Sequence, residues 1–174
     1  MTVCVALVRG INVGGRAKLA MADLRRITEG CGFESVQTYV QSGNVVFRAT
    51  GSAAKAAATL RKAIAAETTL DPAIAVRTAA QLAKVVDACP FDDTANVHVT
   101  FRVEGGKALR ADVDGEDFEP ERYEVSGDEA YLYLPNGMGR SKLAVALSKG
   151  KAAMDGTTRN WRTVTQLLDL ASAT

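Results

Sequence analysis

The pattern of apolar and polar positions changes its period several times along the first half of the chain, and each change marks a predicted element. Residues 3–8 are apolar without interruption, as in a buried strand, and apolar positions then recur at helical spacing until Gly30 and Gly32 end a helix. Further on, turn residues join two extended stretches into a hairpin, and Ser52 is suited to cap an alanine-rich helix. In chain order, the predicted elements are a strand at 3–8, a helix at 21–31, strands at 36–40 and 45–47, a helix at 53–67 and a strand at 73–76.

The second half repeats the same order, β-α-β-β-α-β, without a recognisable sequence repeat. A capped amphipathic helix over 78–89, which ends before Pro90, connects the halves. The acidic segment 112–121 has the weakest helical pattern in this half. The predicted elements are strands at 97–103, 122–125, 129–134 and 156–158, helices at 107–113 and 141–148, and a last helix from Asn160 that packs Trp161 against the core.

This order predicts an α+β fold made of two tandem ferredoxin-like (βαββαβ) plaits with antiparallel sheets, followed by a C-terminal helix. We assign residues 1–77 to the first plait, 78–95 to a connecting helix, and 96–174 to the second plait with the C-terminal helix. Right-handed crossovers place the loop 9–15 and the turn 41–44 at one edge of the first sheet. In the second plait they place 136–142 and 157–160 at one edge, because both segments are expected to follow strands that end there.

Composition narrows the class of protein without naming it. The chain of 174 residues is 47% hydrophobic and 24% charged, which is ordinary for a soluble globular protein. Its apolar runs are too short to cross a bilayer, and no secretory signal begins it, so we expect a cytoplasmic protein with no membrane partner. Cys4, Cys31 and Cys89 are widely separated among apolar neighbours, which predicts three buried thiols and neither a disulfide framework nor a metal site.

The net charge of +1 hides an uneven distribution of charges. Residues 1–77 hold ten Lys or Arg and five acids, residues 104–129 hold ten acids and three bases, and residues 140–162 hold six bases and one acid. Two interpretations are open: a basic patch beside each polar loop, or solvated helix faces.

The first candidate site joins the glycine-rich loop after the first strand to the hairpin turn. Glycines let the backbone take positive φ and approach a ligand, while a guanidinium and amide side chains supply donors. A plain two-residue turn also explains the hairpin segment. The candidate ligand-binding residues are Arg9, Gly10, Asn12, Gly14, Gly15, Gln41, Ser42 and Asn44.

The second candidate site lies where residues 136–142 enter a helix. Unpaired backbone N–H groups and the positive end of the helix dipole attract anions there, although neither a P-loop nor a GxGxxG spacing is present. The alternative is a glycine turn in which Ser141 caps the helix. The candidate residues are Asn136, Gly137, Gly139, Arg140, Ser141 and Lys142, with Thr158, Arg159 and Asn160 from the neighbouring segment.

Catalytic patterns are scarce in this sequence. His98, its single histidine, lies in an alternating strand without a triad or zinc spacing, so we interpret it as structural. No GxSxG elbow activates a serine, and the acids at 112–121 fit a solvated surface better than a catalytic pair or a metal cage. Catalytic residues and cofactors therefore stay unknown, and no metal site is predicted.

Four segments together resemble the bacterial domain-of-unknown-function family 1697: LVRGINVGG at 7–15, YVQSGNVVF at 39–47, LPNGMGRSKL at 134–143 and TTRNWRTV at 157–164. The likeness runs nearly end to end and keeps the order of the motifs. It implies the tandem plait fold. It implies no activity, because the family has none assigned.

Three functional hypotheses follow from these residues. The leading one is a protein that binds an anionic ligand, such as a nucleotide, a phosphorylated metabolite or a nucleic-acid backbone, with the near-neutral total charge weighing against nucleic acid. The second is an enzyme for a small polar substrate, which lacks an identifiable general base. In the third hypothesis the loops have a structural role and hold the two plaits to each other or to a second chain. The sequence leaves the oligomeric state open.

Overall fold

The computed structural model describes residues 1–15, 17–110, 113–149 and 153–174. Two four-stranded antiparallel sheets and five α-helices make up these residues. The strands are β1 Thr2–Val8, β2 Glu34–Tyr39, β3 Asn44–Ala49, β4 Ile74–Thr78, β5 Val97–Arg102, β6 Arg122–Ser126, β7 Glu129–Tyr133 and β8 Gly156–Asn160. The helices are α1 Met21–Gly30, α2 Ala53–Glu67, α3 Ala79–Asp87, α4 Lys142–Ala146 and α5 Trp161–Ala173.

The first sheet has the strand order β2-β3-β1-β4, which is that of a ferredoxin-like plait, with every neighbouring pair antiparallel. Alternate residues of its strands pack under α1 and α2, whose Leu24, Ile27, Leu60 and Ile64 complete one hydrophobic cluster. The period-two and period-3.6 patterns predict these faces correctly, since one side of each element must be apolar.

The second sheet has the equivalent order β6-β7-β5-β8. The prediction of a helix at 107–113 is wrong for residues 107–110, which are not helical, and residues 111 and 112 lie outside the described part. A single 3-10 turn at Gly115–Phe118 is present between β5 and β6. Gly105 and Gly106 precede the segment, and the N–H of Lys107 donates to Asp155 Oδ2 at 3.1 Å.

The two sheets share one hydrophobic cluster. The face of the first sheet that α1 and α2 leave uncovered packs with the second sheet through α3 and α5, the helices that follow β4 and β8. This cluster includes Val5, Leu7, Val46, Val97, Val99, Phe101, Tyr131, Leu82, Val85, Val164 and Leu167. The opposite face of the second sheet packs under α4 in a third cluster. None of the helices in the described ranges is both long and apolar enough to cross a bilayer.

Several local predictions are confirmed. Ser52, Thr78, Ser141 and Asn160 each cap a helix through their side chains, and Trp161 packs against the shared cluster. The three cysteines are free thiols, but only Cys4 is buried, while Cys31 and Cys89 are half-buried. The prediction of three buried thiols is therefore wrong for two of them.

Candidate functional site at the junction of the plaits

The loop 9–15 and the turn 41–44 lie together, as the topology predicts. Asn12 adopts a left-handed backbone with φ of 56°, and its side-chain amide donates to the carbonyls of Leu19 at 2.8 Å and Gln41 at 2.9 Å. Its Oδ1 accepts the N–H of Leu19 at 2.9 Å. Both polar atoms of Asn12 therefore bind protein.

Gly43 is the residue that lets the turn close on the loop. Its φ is 77°, and a Cβ at this position would lie 2.7 Å from Cδ1 of Ile11. A backbone in the left-handed region, held this close to a buried isoleucine, tolerates only glycine without local movement. Val8 then donates its N–H to the carbonyl of Gly43 at 2.8 Å, which closes the edge of the sheet.

Arg159 belongs to β8 and not to the loop after it, so the prediction that residues 157–160 follow a strand is wrong. Its side chain is 8% exposed and crosses from the second plait into the first. Burial lowers the pKa of Arg159 to about 10, which leaves the group cationic at neutral pH. Its donors reach Asn44 Oδ1 at 2.6 Å, the carbonyls of Ser42 at 2.8 Å, Val8 at 3.0 Å and Thr158 at 2.8 Å, and Thr157 Oγ1 at 2.8 Å.

Arg77, on β4 of the first plait, makes the matching contact with the second plait. Its Nε donates to Oε1 of Glu129 at 2.6 Å, and these two side chains are 8% and 14% exposed. Its other donors reach the carbonyls of Val76 at 2.9 Å, Arg102 at 3.3 Å and Asp128 at 3.3 Å.

The two arginines occupy equivalent places in the two plaits. Each is the fourth residue of its plait's last strand, and a helix-capping residue follows each one. In both cases Nε binds the side chain of the first residue of the other plait's third strand, Asn44 or Glu129. In both cases Nη2 binds a backbone carbonyl of the other plait's hairpin turn. We call Arg77 and Arg159 the reciprocal arginines, because each plait supplies one to the other.

The N-terminus of α4 already holds an anionic group. Glu121 is buried, and its Oε2 accepts the N–H of Leu143 at 2.9 Å, while Ser141 Oγ accepts the N–H of Ala144 at 2.8 Å. Both amides therefore have acceptors within the protein, and the protein's own carboxylate lies at the helix end where the sequence predicts an external anion. Among the nearby candidate residues Asn136, Gly139, Arg140 and Lys142 are exposed. Gly137 is half-buried.

A cleft of about 310 Å³ lies where the first loop meets the second sheet. Arg9 reaches it from the first plait, and Thr158 and Thr100 line it from β8 and β5. The rest of the lining is Leu132, Met138, Ala144, Leu147, Ser148, Met154 and Gly156. The sequence predicts Arg9 and Thr158 as site residues but places them in separate sites, and the structure brings them to one cleft.

Arg9 is held at this cleft by Asp155, the residue before β8. Its Nη1 lies 2.9 Å from Asp155 Oδ1, with the two side chains 44% and 36% exposed. An ion pair this accessible contributes little to stability because water screens it. Among the described residues, the remaining donors of Arg9 have no protein partner and stay open to a ligand.

The two threonines of the cleft share one hydrogen bond. Their hydroxyl oxygens lie 2.8 Å apart, and either can be the donor. One of the two hydroxyl protons therefore points away from the pair and has no acceptor in the described part of the chain. Ser148, by contrast, donates its proton to the carbonyl of Val145 at 2.9 Å.

His98 lies two residues from Thr100 on the same strand. Its Nδ1 is buried without a hydrogen-bond partner among the described residues. Burial is the main cause that lowers the pKa of His98 from its usual 6.5. In residues 1–15, 17–110, 113–149 and 153–174, no three His, Cys, Asp or Glu side chains lie together as a metal site requires.

Sequence reasoning missed Arg77, Glu121, Asp155 and Thr100. One signal was present for Arg77: Val76-Arg77-Thr78 precedes α3 as Thr158-Arg159-Asn160 precedes α5, so both helices follow an arginine and a capping residue. No local pattern marks the other three, because their partners come from distant parts of the chain.

Comparison with known proteins supports the fold and the family. The chain is similar to the conserved bacterial protein SP0830 from Streptococcus pneumoniae, with a TM-score of 0.76, 23% identity and 98% of each chain covered. At that identity the likeness shows the fold alone. No curated protein matches the sequence. The family described as "Protein of unknown function (DUF1697)" matches residues 1–131. Since the match spans most of the sequence, the chain belongs to the DUF1697 family.

Proposed function

We propose that this protein binds a small anionic molecule in the cleft on the α4 side of the second sheet, with Arg9 of the first plait as the residue that holds the negative charge. The observation that carries the proposal is the position of Arg9. Its side chain reaches from the first plait to the wall of a concave, mostly apolar site in the second plait, which is the usual shape of a ligand pocket, and its charge is accessible.

Other cations from the candidate sites support binding less well. The donors of Arg159 are all taken by protein acceptors. Arg140 and Lys142 are exposed and lie outside the cleft lining. Arg9 is exposed as well, so what distinguishes it from Arg140 and Lys142 is its place in the lining of a concave site, where a ligand can bury apolar surface beside the charge.

Isothermal titration tests this proposal with four anions: AMP, ATP, glucose 6-phosphate and octanoate. We expect at least one to bind, with roughly tenfold or greater loss of affinity in Arg9→Gln, since a charge-assisted hydrogen bond is worth about 1.5–3 kcal/mol. Binding should weaken with added salt, because an accessible charge pair is screened.

Arg140→Gln is the matched comparison for this experiment. It removes one exposed arginine whose own side chain is not part of the cleft lining, although Met138 of the same loop is. Equal affinities for the wild type and Arg9→Gln, with weaker binding in Arg140→Gln, would place the site at residues 136–142 and contradict the proposal. Flat titrations with every anion would contradict it as well.

A further inference from the structure

The lining of the cleft favours one class of anion over others. The inference drawn from it rests on the proposed function, which is anion binding in this cleft. We infer that its ligand is a monocarboxylate with an apolar body of roughly ten non-hydrogen atoms, and not a phosphate ester. The inference follows from the shape of the cleft, its apolar lining and the charges at its mouth.

The size and lining describe the body of the ligand. A cavity of roughly 150 Å³ holds benzene, and this cleft has about twice that volume, at 310 Å³. Leu132, Leu147 and Ala144 make its walls apolar, and Met138 and Met154 add two side chains that adapt to the shape of a ligand. The described lining residues include no aromatic ring, so a nucleobase would find no stacking partner among them.

The charges at the mouth describe the anionic group. Among the described residues, Arg9 is the one cationic side chain in the lining, and Asp155 lies 2.9 Å from it and balances its charge. A single carboxylate can bind the free edge of the guanidinium with a planar, bidentate geometry. A phosphate dianion would place twice the charge beside the Asp155 carboxylate, and like charges this close repel.

The threonine pair supplies the remaining donor. One hydroxyl proton of Thr100 and Thr158 has no acceptor in the described residues, although Thr100 is buried. A carboxylate or carbonyl oxygen entering the cleft would accept this proton. The cleft therefore offers a guanidinium edge and a hydroxyl proton to an acceptor group, above an apolar floor.

Three eight-carbon probes with different head groups test the inference by isothermal titration at pH 8: octanoate, octyl phosphate and 1-octanol. We expect octanoate to bind at least tenfold more tightly than the other two. Arg9→Gln should remove this preference over octanol, and Thr158→Val should weaken octanoate roughly tenfold by removing one hydroxyl. Arg162→Gln, which removes an exposed arginine of α5, is the control and should bind octanoate as the wild type does.

Asp155→Asn tests the role of the Asp155 charge through the ratio of the affinities for octyl phosphate and octanoate. A purely structural role of Asp155 would leave this ratio unchanged. Removing this carboxylate relieves more repulsion for a dianion than for a monoanion, so affinity for octyl phosphate should rise more than affinity for octanoate. A circular-dichroism spectrum of each variant checks that it folds.

The possible results separate the two proposals. If octyl phosphate binds the wild type more tightly than octanoate and depends on Arg9, the inferred ligand class is wrong while the anion-binding function stands. If octanol binds as well as octanoate, the cleft is only an apolar cavity and the role of Arg9 is wrong. If none of the probes binds, and AMP, ATP and glucose 6-phosphate also fail, both proposals are overturned.

Discussion

His98 carries the one buried side-chain polar atom that lacks a hydrogen-bond partner among the described residues, and a backbone hydrogen bond with Asn96 offsets only part of the effect of burial on its pKa. Its Nδ1 is buried and unbonded within the described residues, and desolvation disfavours the charged imidazolium, which lowers the pKa of His98 below 6.5. A buried polar atom without a partner is costly. The protein tolerates it because a neutral imidazole loses less on burial than a charged one.

Stability should therefore depend on pH through His98. In the unfolded chain this imidazole takes up a proton near pH 6.5, whereas in the folded protein it does so only at lower pH. The unfolded state thus binds more protons in the window below 6.5, and the free energy of unfolding falls as the pH drops through it. Proton NMR can follow the titration directly, since the chain has a single histidine. A measured pKa at or above 6.5 would contradict this, and His98→Gln should remove the corresponding part of the pH dependence of urea unfolding.

At the scale of elements, the last strand of each plait both completes its own sheet and contacts the other plait. β4 and β8 pair with the central strands of their own sheets, and each carries one reciprocal arginine into the other plait. The helices α3 and α5 follow directly and pack in the shared cluster. The same strand-arginine-cap-helix unit is thus used twice, and the two copies face each other.

We expect Arg77→Lys and Arg159→Lys each to lower the free energy of unfolding by about 2–4 kcal/mol, measured by urea denaturation. Lysine keeps the charge but cannot form the fork of bonds, so several buried acceptors lose their partners. Replacement by Met should cost more at Arg77 than at Arg159, because it leaves the Glu129 carboxylate, which is only 14% exposed, without its counter-ion. By contrast, every acceptor that Arg159 binds among the described residues is neutral.

Arg25→Lys is a suitable control for these variants, since Arg25 pairs with Glu29 at the exposed surface of α1. Such a pair is worth about 0–1 kcal/mol. Lysine variants of the reciprocal arginines as stable as Arg25→Lys would show that the buried bonds contribute little to holding the plaits together.

Elements with a regular apolar period could be predicted from the sequence, and β8 shows where that method stops. Its buried positions are Thr157 and Arg159, so the alternation that marks a strand is carried by polar residues. Arg159 is buried because the first plait supplies acceptors for its donors, and Thr157 accepts another of them. The local sequence of β8 does not indicate these acceptors, because they lie in a distant part of the chain. The same limit applies to Glu121: its acidic surroundings indicate a solvated segment, while its partner at the start of α4 lies 22 residues away.

The candidate site was predicted in part for the same reason. The topology of a single plait places the loop 9–15 beside the turn 41–44, and the structure agrees. The topology of one plait does not determine how the second plait is oriented against it. The sequence therefore predicts Arg9 and Thr158 in different sites. The reciprocal arginines and the shared cluster fix that orientation, and the cleft results from it.

At the scale of the whole molecule, the two plaits should unfold together. The shared cluster takes apolar residues from both sheets and from α3 and α5, and burial of apolar area is the dominant favourable term in folding. Separating the plaits would expose this cluster and break the buried bonds of both reciprocal arginines. An intermediate with one folded plait would therefore be strongly disfavoured.

We expect one cooperative transition in urea, reported identically by two probes. Trp161, the single tryptophan, packs against the shared cluster and reports the junction by fluorescence. Far-ultraviolet circular dichroism reports the helices of both plaits, including α1 and α2, which lie far from that side chain in the first cluster. Coincident midpoints and slopes support a single folding unit.

If fluorescence changes at lower urea than ellipticity, the plaits separate before they unfold, and the junction would then be an interface between two independent domains. Such a loose junction could not hold Arg9 and Thr158 in one rigid cleft, so this measurement also bears on where the ligand is to be sought.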